Sequence, residues 1–139
     1  MRRHKNLRHV VIVDDEPDLL GLIEDHFKEM GVPQISCFSS AQEAYDFCVK
    51  RIGTGFSPSV IISDLSMPEV TGLMFLEKLR ANNFLRKIPF VLMTAFGEEE
   101  KIREAIRSGA RDVLAKPFEL SFLDERLSLL FDEESKKIV

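Results

Sequence analysis

Val10-Val11-Ile12-Val13-Asp14-Asp15 decides how this chain is read. The apolar run shows no polar alternation, which marks a strand buried on both faces of a parallel sheet. It stops at two carboxylates. The pattern recurs: Val60-Ile61-Ile62-Ser63 ends in Asp64, Phe90-Val91-Leu92-Met93 in Thr94, and Val113-Leu114-Ala115 in Lys116, with Pro117 next. Ligands bind at the carboxyl edge of the strands in an open α/β sheet. Three carboxylates, a hydroxyl and an ammonium are therefore expected to converge at that edge. Such a set suits a divalent cation and a phosphoryl group.

Strands are expected near 8–14, 34–37, 59–64, 88–94 and 111–115. Helical periodicity fills the gaps near 17–30, 40–50, 72–82, 98–108 and 119–133. Leu20, Ile23, Phe27 and Met30 share one face of the first helix, and Ala41, Ala44, Tyr45 and Cys48 one face of the second. Leu73, Leu76 and Leu79 mark the third, Ile102, Ala105 and Ile106 the fourth, and Leu120, Leu123, Leu127 and Leu130 the fifth. Pro17 fits a first helical turn, Ser39 or Ser40 an N-cap, and Gly31 and Gly109 C-caps. Strict β-α alternation implies a doubly wound α/β domain. Residues 1–7 read as a basic tail, 8–133 as the domain and 134–139 as a C-terminal tail.

Bulk properties narrow the function. The 139 residues suit one domain, and 45% apolar with 30% charged residues is a globular composition. A formal charge of -4 argues against general nucleic-acid binding. No apolar run approaches the ~20 residues that span a bilayer, and no signal peptide is visible. Cys37 and Cys48 match no metal spacing and read as free thiols, as expected of a cytoplasmic protein. The glycine-containing loop 51–57 lacks the lysine and spacing of a phosphate-binding loop and reads as a surface connection.

Three carboxylates near one point repel, which raises at least one pKa. A hard cation removes that problem, and Mg²⁺ favours oxygen ligands in octahedral geometry. Asp64, ending the central third strand, is the candidate covalent nucleophile. Phosphoryl transfer needs positioning and charge neutralisation. Lys116 supplies a second positive charge, while the Thr94 hydroxyl and the Ala95 N–H can donate to phosphoryl oxygens.

The matching stretches are Val11-Ile12-Val13-Asp14-Asp15-Glu16-Pro17, Asp64-Leu65-Ser66-Met67-Pro68-Glu69-Val70-Thr71-Gly72, Met93-Thr94-Ala95 and Ala115-Lys116-Pro117-Phe118. In this order and at these intervals the chain resembles a response-regulator receiver domain of two-component signalling, from about residue 8 to about residue 131. The resemblance implies a flavodoxin-like fold of five parallel strands and five helices. It also implies strand order 2-1-3-4-5, which is known for a single-domain member of the family and does not follow from the spacing. It implies that Asp64 is the phosphoacceptor. Asp15, Asp64 and the Ser66 carbonyl would bind Mg²⁺ directly, Asp14 through water. Thr94, Lys116, Ala95 and Ser66 would surround the phosphoryl group, and the Lys116-Pro117 bond would be cis.

The implied donor is a sensor histidine kinase or histidine phosphotransfer protein. The implied output is a downstream protein bound through the fourth helix, fifth strand and fifth helix, by a monomer or a weak phosphorylation-dependent dimer. The chain ends just past the fifth helix, so a stand-alone, chemotaxis-type regulator is expected, with no enzymatic activity beyond its own phosphotransfer and dephosphorylation. Neither nucleic acid nor membrane is an expected partner.

Val113 departs from the pattern, because the family often has an aromatic ring there. The switch is then expected to rest on Thr94 and the loop after it, with Val113 an ordinary strand residue. Ser66 and Phe96 occupy positions that vary in the family and influence water access. Three alternatives fit the residues less well. A receiver-like interaction module that is never phosphorylated is opposed by the intact acidic and basic set. A flavin-binding protein is opposed by Asp14-Asp15-Glu16, which would repel a phosphate. A haloacid-dehalogenase-type phosphatase needs a second aspartate where Ser66 stands.

Overall fold

The computed structural model describes residues 6–131. Residues 1–5 of the basic head, the last two residues expected in the fifth helix and the tail 134–139 lie outside the described residues. Strands and helices alternate: β1 (His9–Val13), α1 (Pro17–Glu29), β2 (Gln34–Phe38), α2 (Ala41–Lys50), β3 (Val60–Asp64), α3 (Gly72–Ala81), β4 (Phe90–Thr94), α4 (Glu99–Arg107), β5 (Asp112–Ala115) and α5 (Leu120–Phe131). The strands form one five-stranded sheet in the order β2-β1-β3-β4-β5, and every pairing is parallel.

β1, β3 and β4 are buried along their whole length, as continuous apolar runs require. Alternate residues feed two cores. Val10, Ile12, Val60, Ile62, Val91, Met93 and Leu114 meet Ile23 and Phe27 of α1 and Leu123 and Leu127 of α5. Val11, Val13, Ile61, Phe90 and Leu92 meet α2, α3 and Ala105 of α4. Leu7 is buried in the first of these cores, and Asn6 Nδ2 donates to the Phe131 carbonyl at 3.3 Å. The packed chain therefore begins before residue 8.

Helix ends follow local chemistry. Pro17 opens α1, where a missing N–H costs nothing. Ser40 Oγ accepts from Glu43 N to cap α2, and Thr71 Oγ1 accepts from Met74 N to cap α3. Gly31 and Gly109 follow α1 and α4 at φ 82° and 104°, the left-handed geometry of a C-terminal cap. Two expected faces differ. Ile106 is 54% exposed, because only Ala105 of α4 is fully buried. Phe75 of α3 is fully buried, edge-on to Tyr45 and Phe90.

Cys48 is buried and Cys37 partly so; both are free. Burial pushes each thiol up to about 11, with the charge of Glu24 adding to the effect at Cys37. Among the described residues no helix is long and apolar enough to cross a membrane.

Candidate functional site

Each polar residue that ends an apolar strand reaches the same sheet edge. Asp14 follows β1 and is fully buried; its Oδ1 accepts from Glu16 N at 2.8 Å. Its other oxygen accepts from Lys116 Nζ at 2.8 Å. Asp15 is exposed beside it. Asp64 ends β3 and is 6% exposed; Oδ2 accepts from Lys116 Nζ at 3.3 Å and Oδ1 from Ser66 N at 3.4 Å. Thr94 ends β4 and is buried. Lys116 N donates to the Thr94 carbonyl at 2.7 Å, and the Lys116-Pro117 peptide is cis. Lys116 Nζ also reaches Glu16 Oε1 at 3.2 Å, a partner not assigned from sequence.

The charges set the titration behaviour. Burial raises the pKa of Asp64; the Lys116 ammonium opposes the rise, and the carboxylate of Asp14 adds to it. For Lys116, burial alone would favour the neutral amine. The hydrogen bond that Lys116 donates to Asp14 and the charges of Asp64 and Asp14 outweigh it and hold the pKa of the ammonium well above its ordinary value. One ammonium thus serves three carboxylates, and its shortest contact is with Asp14 rather than Asp64.

The loop after β4 holds a residue absent from the sequence-based set. Glu98, the N-cap position of α4, makes no cap to its own helix. Its Oε1 accepts from Ala95 N at 2.9 Å, and its Oε2 accepts from the Ser66 hydroxyl. The Thr94 hydroxyl donates to the Ala95 carbonyl at 2.8 Å. Burial would raise the Glu98 pKa, but the bonds from Ser66 and Ala95 and the charge of Lys101 bring it below the ordinary value. The only sequence signal was the run Glu98-Glu99-Glu100 at the helix start. Phe96 is 99% exposed in the same loop. Val113 packs partly buried against the core shared by α2, α3 and α4.

Oxygen atoms of Asp14, Asp15 and Asp64 lie within 4.8 Å of one another. That spacing and that all-oxygen donor set fit a small hard cation. Two surface hollows lie elsewhere, both lined by Phe56 and one of them by Arg8, His9, Gln34 and Ser59 near the amino ends of β1, β2 and β3.

A doubly wound sheet with an acidic cluster and a lysine at the carboxyl ends of its strands defines a class of phosphoryl-handling α/β domains. The family model described as "Response regulator receiver domain" matches residues 10–128, and the chain belongs to that family. It is therefore the receiver domain of a two-component response regulator, a class of signalling phosphoacceptors that bind Mg²⁺ at an acidic pocket. It is 30% identical over 122 residues to a probable chemotaxis protein CheY of Rhizobium etli, covering 88% of this chain and 91% of that protein. Chemotaxis protein CheY1 of Helicobacter pylori is 26% identical, over 87% of this chain and 94% of that protein. Among solved structures, CheY4 of Vibrio cholerae superposes with a TM-score of 0.77 at 26% identity, over 88% of this chain and 97% of that one.

Proposed function

We propose that this chain is a phosphoacceptor switch in which Asp64 takes a phosphoryl group from a histidine kinase or histidine phosphotransfer protein. The observation that carries the reading is the meeting of buried Asp64 with Asp14, Asp15 and Lys116 at one edge. An Asp64 carboxylate oxygen attacks phosphorus. The phosphorus–nitrogen bond of the donor breaks, its electron pair leaves with the imidazole, and an acyl phosphate forms. No general base is needed, because the attacking group is already ionised. Mg²⁺, when bound, neutralises oxygen charge on the transferring group.

Asp15, Asp64 and the Ser66 carbonyl are assigned as direct Mg²⁺ ligands and Asp14 as a ligand through water. The geometry supports this division, since both oxygens of Asp14 already accept protein hydrogen bonds while Asp15 is exposed. Lys116, Thr94, Ala95 and Ser66 receive the phosphoryl oxygens. The chain promotes only its own phosphotransfer and dephosphorylation.

Output passes through the α4–β5–α5 face. Exposed Ile106 on α4 and Phe122 on α5 offer apolar contact there. The chain acts as a monomer or a weak phosphorylation-dependent dimer, in the cytoplasm, where its two thiols stay free.

Incubation with acetyl phosphate and Mg²⁺ followed by intact mass tests the reading. Wild type gains about 80 Da, the mass of one phosphoryl group. Asp64→Asn gains nothing, because an amide is not a competent nucleophile. An undiminished adduct in that variant moves the acceptor elsewhere. No adduct on wild type favours an interaction module that is never phosphorylated.

A further inference from the structure

The Ala95 N–H and the Ser66 hydroxyl are the donors assigned to the phosphoryl oxygens in the proposed function, and both are already taken. Glu98 Oε1 accepts from Ala95 N at 2.9 Å, and Glu98 Oε2 accepts from Ser66 Oγ. A helix N-cap side chain ordinarily turns toward the free N–H groups of its own first turn. Glu98 stands at that position of α4 and makes no such bond; it reaches back across the Ala95–Gly97 turn. Gly97, at φ 92°, permits the turn. The neighbours Glu99 and Glu100 stay exposed.

We propose that Glu98 is an internal stand-in for the phosphoryl group, held by the Ala95 and Ser66 donors in the unphosphorylated chain and displaced when Asp64 is modified. The inference rests on Asp64 being the phosphoacceptor and adds a residue to that site. A carboxylate and a phosphoryl oxygen are both anionic acceptors, and a single N–H serves one of them well. A phosphoryl group also brings close to two negative charges toward the donors that the Glu98 carboxylate occupies.

The incoming group therefore takes the two donors and repels their occupant. Lys101 lies near enough to influence Glu98 and offers the released carboxylate a new partner. Because Glu98 is the residue on which α4 begins, its release is felt at the start of that helix. Glu98 is thus a positioning residue. It sets how tightly the site holds a phosphoryl group and transmits occupancy to α4 without an aromatic rotor.

Beryllofluoride with Mg²⁺, a phosphoryl mimic that binds at the acceptor carboxylate, provides the test. Binding is followed by the amide resonances of Ala95 and Ser66 in wild type, Glu98→Gln, Glu98→Ala and, as a control on the same turn, Glu99→Gln. Removing the occupant raises affinity for beryllofluoride about three- to tenfold in Glu98→Ala, the scale of one ordinary net hydrogen bond. Glu98→Gln, which keeps an acceptor but no charge, falls between Glu98→Ala and wild type, and Glu99→Gln matches wild type.

In metal-free protein, Glu98→Ala also moves the Ala95 amide proton and speeds its exchange with solvent. A helix-capping role alone would lower thermal stability and leave anion affinity unchanged or weaker. Wild-type binding with no gain in Glu98→Ala overturns the inference while leaving Asp64 as acceptor. Binding only after Glu98 is removed supports it. Absence of binding in every variant sinks the acceptor reading and this inference with it.

Discussion

Asp14 and Asp15 are neighbours in the chain and opposites in environment. The first is fully buried, with one oxygen on Lys116 and the other on Glu16 N; the second faces solvent. A direct metal ligand is harder to replace than a contact through water. Asp15→Ala should therefore weaken Mg²⁺ binding by at least about tenfold, and Asp14→Ala by clearly less. The chain has no tryptophan, so calorimetry or an NMR titration gives the readout; equal losses would overturn the assigned roles.

Asp64 carries a second residue-scale consequence. Burial, with Asp14 beside it, raises its pKa despite Lys116. A carboxylate whose folded pKa lies above its unfolded value binds more protons when folded, so stability falls as pH rises through that window. The cost is present wherever the folded carboxylate is ionised. In metal-free buffer at pH 7, Asp64→Asn should then be more stable than wild type, by about 1 kcal/mol or roughly 3–5 °C in midpoint. A lower midpoint in calorimetry would show that the lost Lys116 contact dominates. That carboxylates meet here was legible from the strand ends alone. That Glu98 joins them was not, because three successive glutamates offer no sequence cue to which one turns inward.

At the scale of elements, the β3–α3 connection shows how backbone geometry supports the site. Gly72 N donates to the Leu65 carbonyl at 2.8 Å, closing the loop that carries Ser66. A Cβ on Gly72 would stand 2.0 Å from the Asp64 carbonyl oxygen. Neither backbone can yield without moving Asp64. Gly72→Ala should cost about 1–3 kcal/mol or more and weaken Mg²⁺ binding as well. Gly21 is the internal control: it lies inside α1, and a Cβ there would meet no atom within 4 Å. Gly21→Ala should stabilise by about 0.5–1 kcal/mol. Thermal melts of the two variants moving in the same direction would contradict this account.

Strands and most helix faces were readable because apolar runs and 3.6-residue periodicity report burial directly. The failures have specific causes. Ile106 shares helical spacing with Ala105, yet α4 presses on the sheet through too narrow a stripe to cover both. Arg80 gave no signal, although its guanidinium donates to the Ile88 and Gly109 carbonyls at 3.0 Å each and ties α3 to both connections flanking β4 and α4. Such bonds run from a side chain to carbonyls in connecting loops, 8 and 29 residues on, and leave no periodic trace.

For the whole molecule the question is how occupancy of the acidic edge would reach the α4–β5–α5 face proposed as the output surface. Lys116 joins the two regions, since its ammonium lies on Asp14 and Asp64 while its N–H is bonded to the Thr94 carbonyl. Thr94 pairs with Ala115 at the end of the β4–β5 ladder, one step before the loop that leads into α4. Val113 sits lower on β5, opposite Leu92, and packs toward the α2–α3–α4 core. It has no ring to rotate and a stiff χ1. A modification shifts a conformational equilibrium only through groups that interact differently with the two states. The groups proposed to do so are the Thr94 hydroxyl, now bonded to the Ala95 carbonyl, and the Ala95 N–H, now bonded to Glu98. Thr94→Ala should therefore still gain the adduct of about 80 Da, because Asp64 is untouched. It should lose much of the beryllofluoride-induced amide shift between residues 95 and 115. Val113→Phe should leave phosphorylation near wild type, because the side chain lies outside the reacting group. If Thr94→Ala reproduces the full wild-type shift pattern across 95–115, the coupling runs by another route. The next place to look would then be the direct contact of Lys116 with Asp64 and its backbone bond to β4.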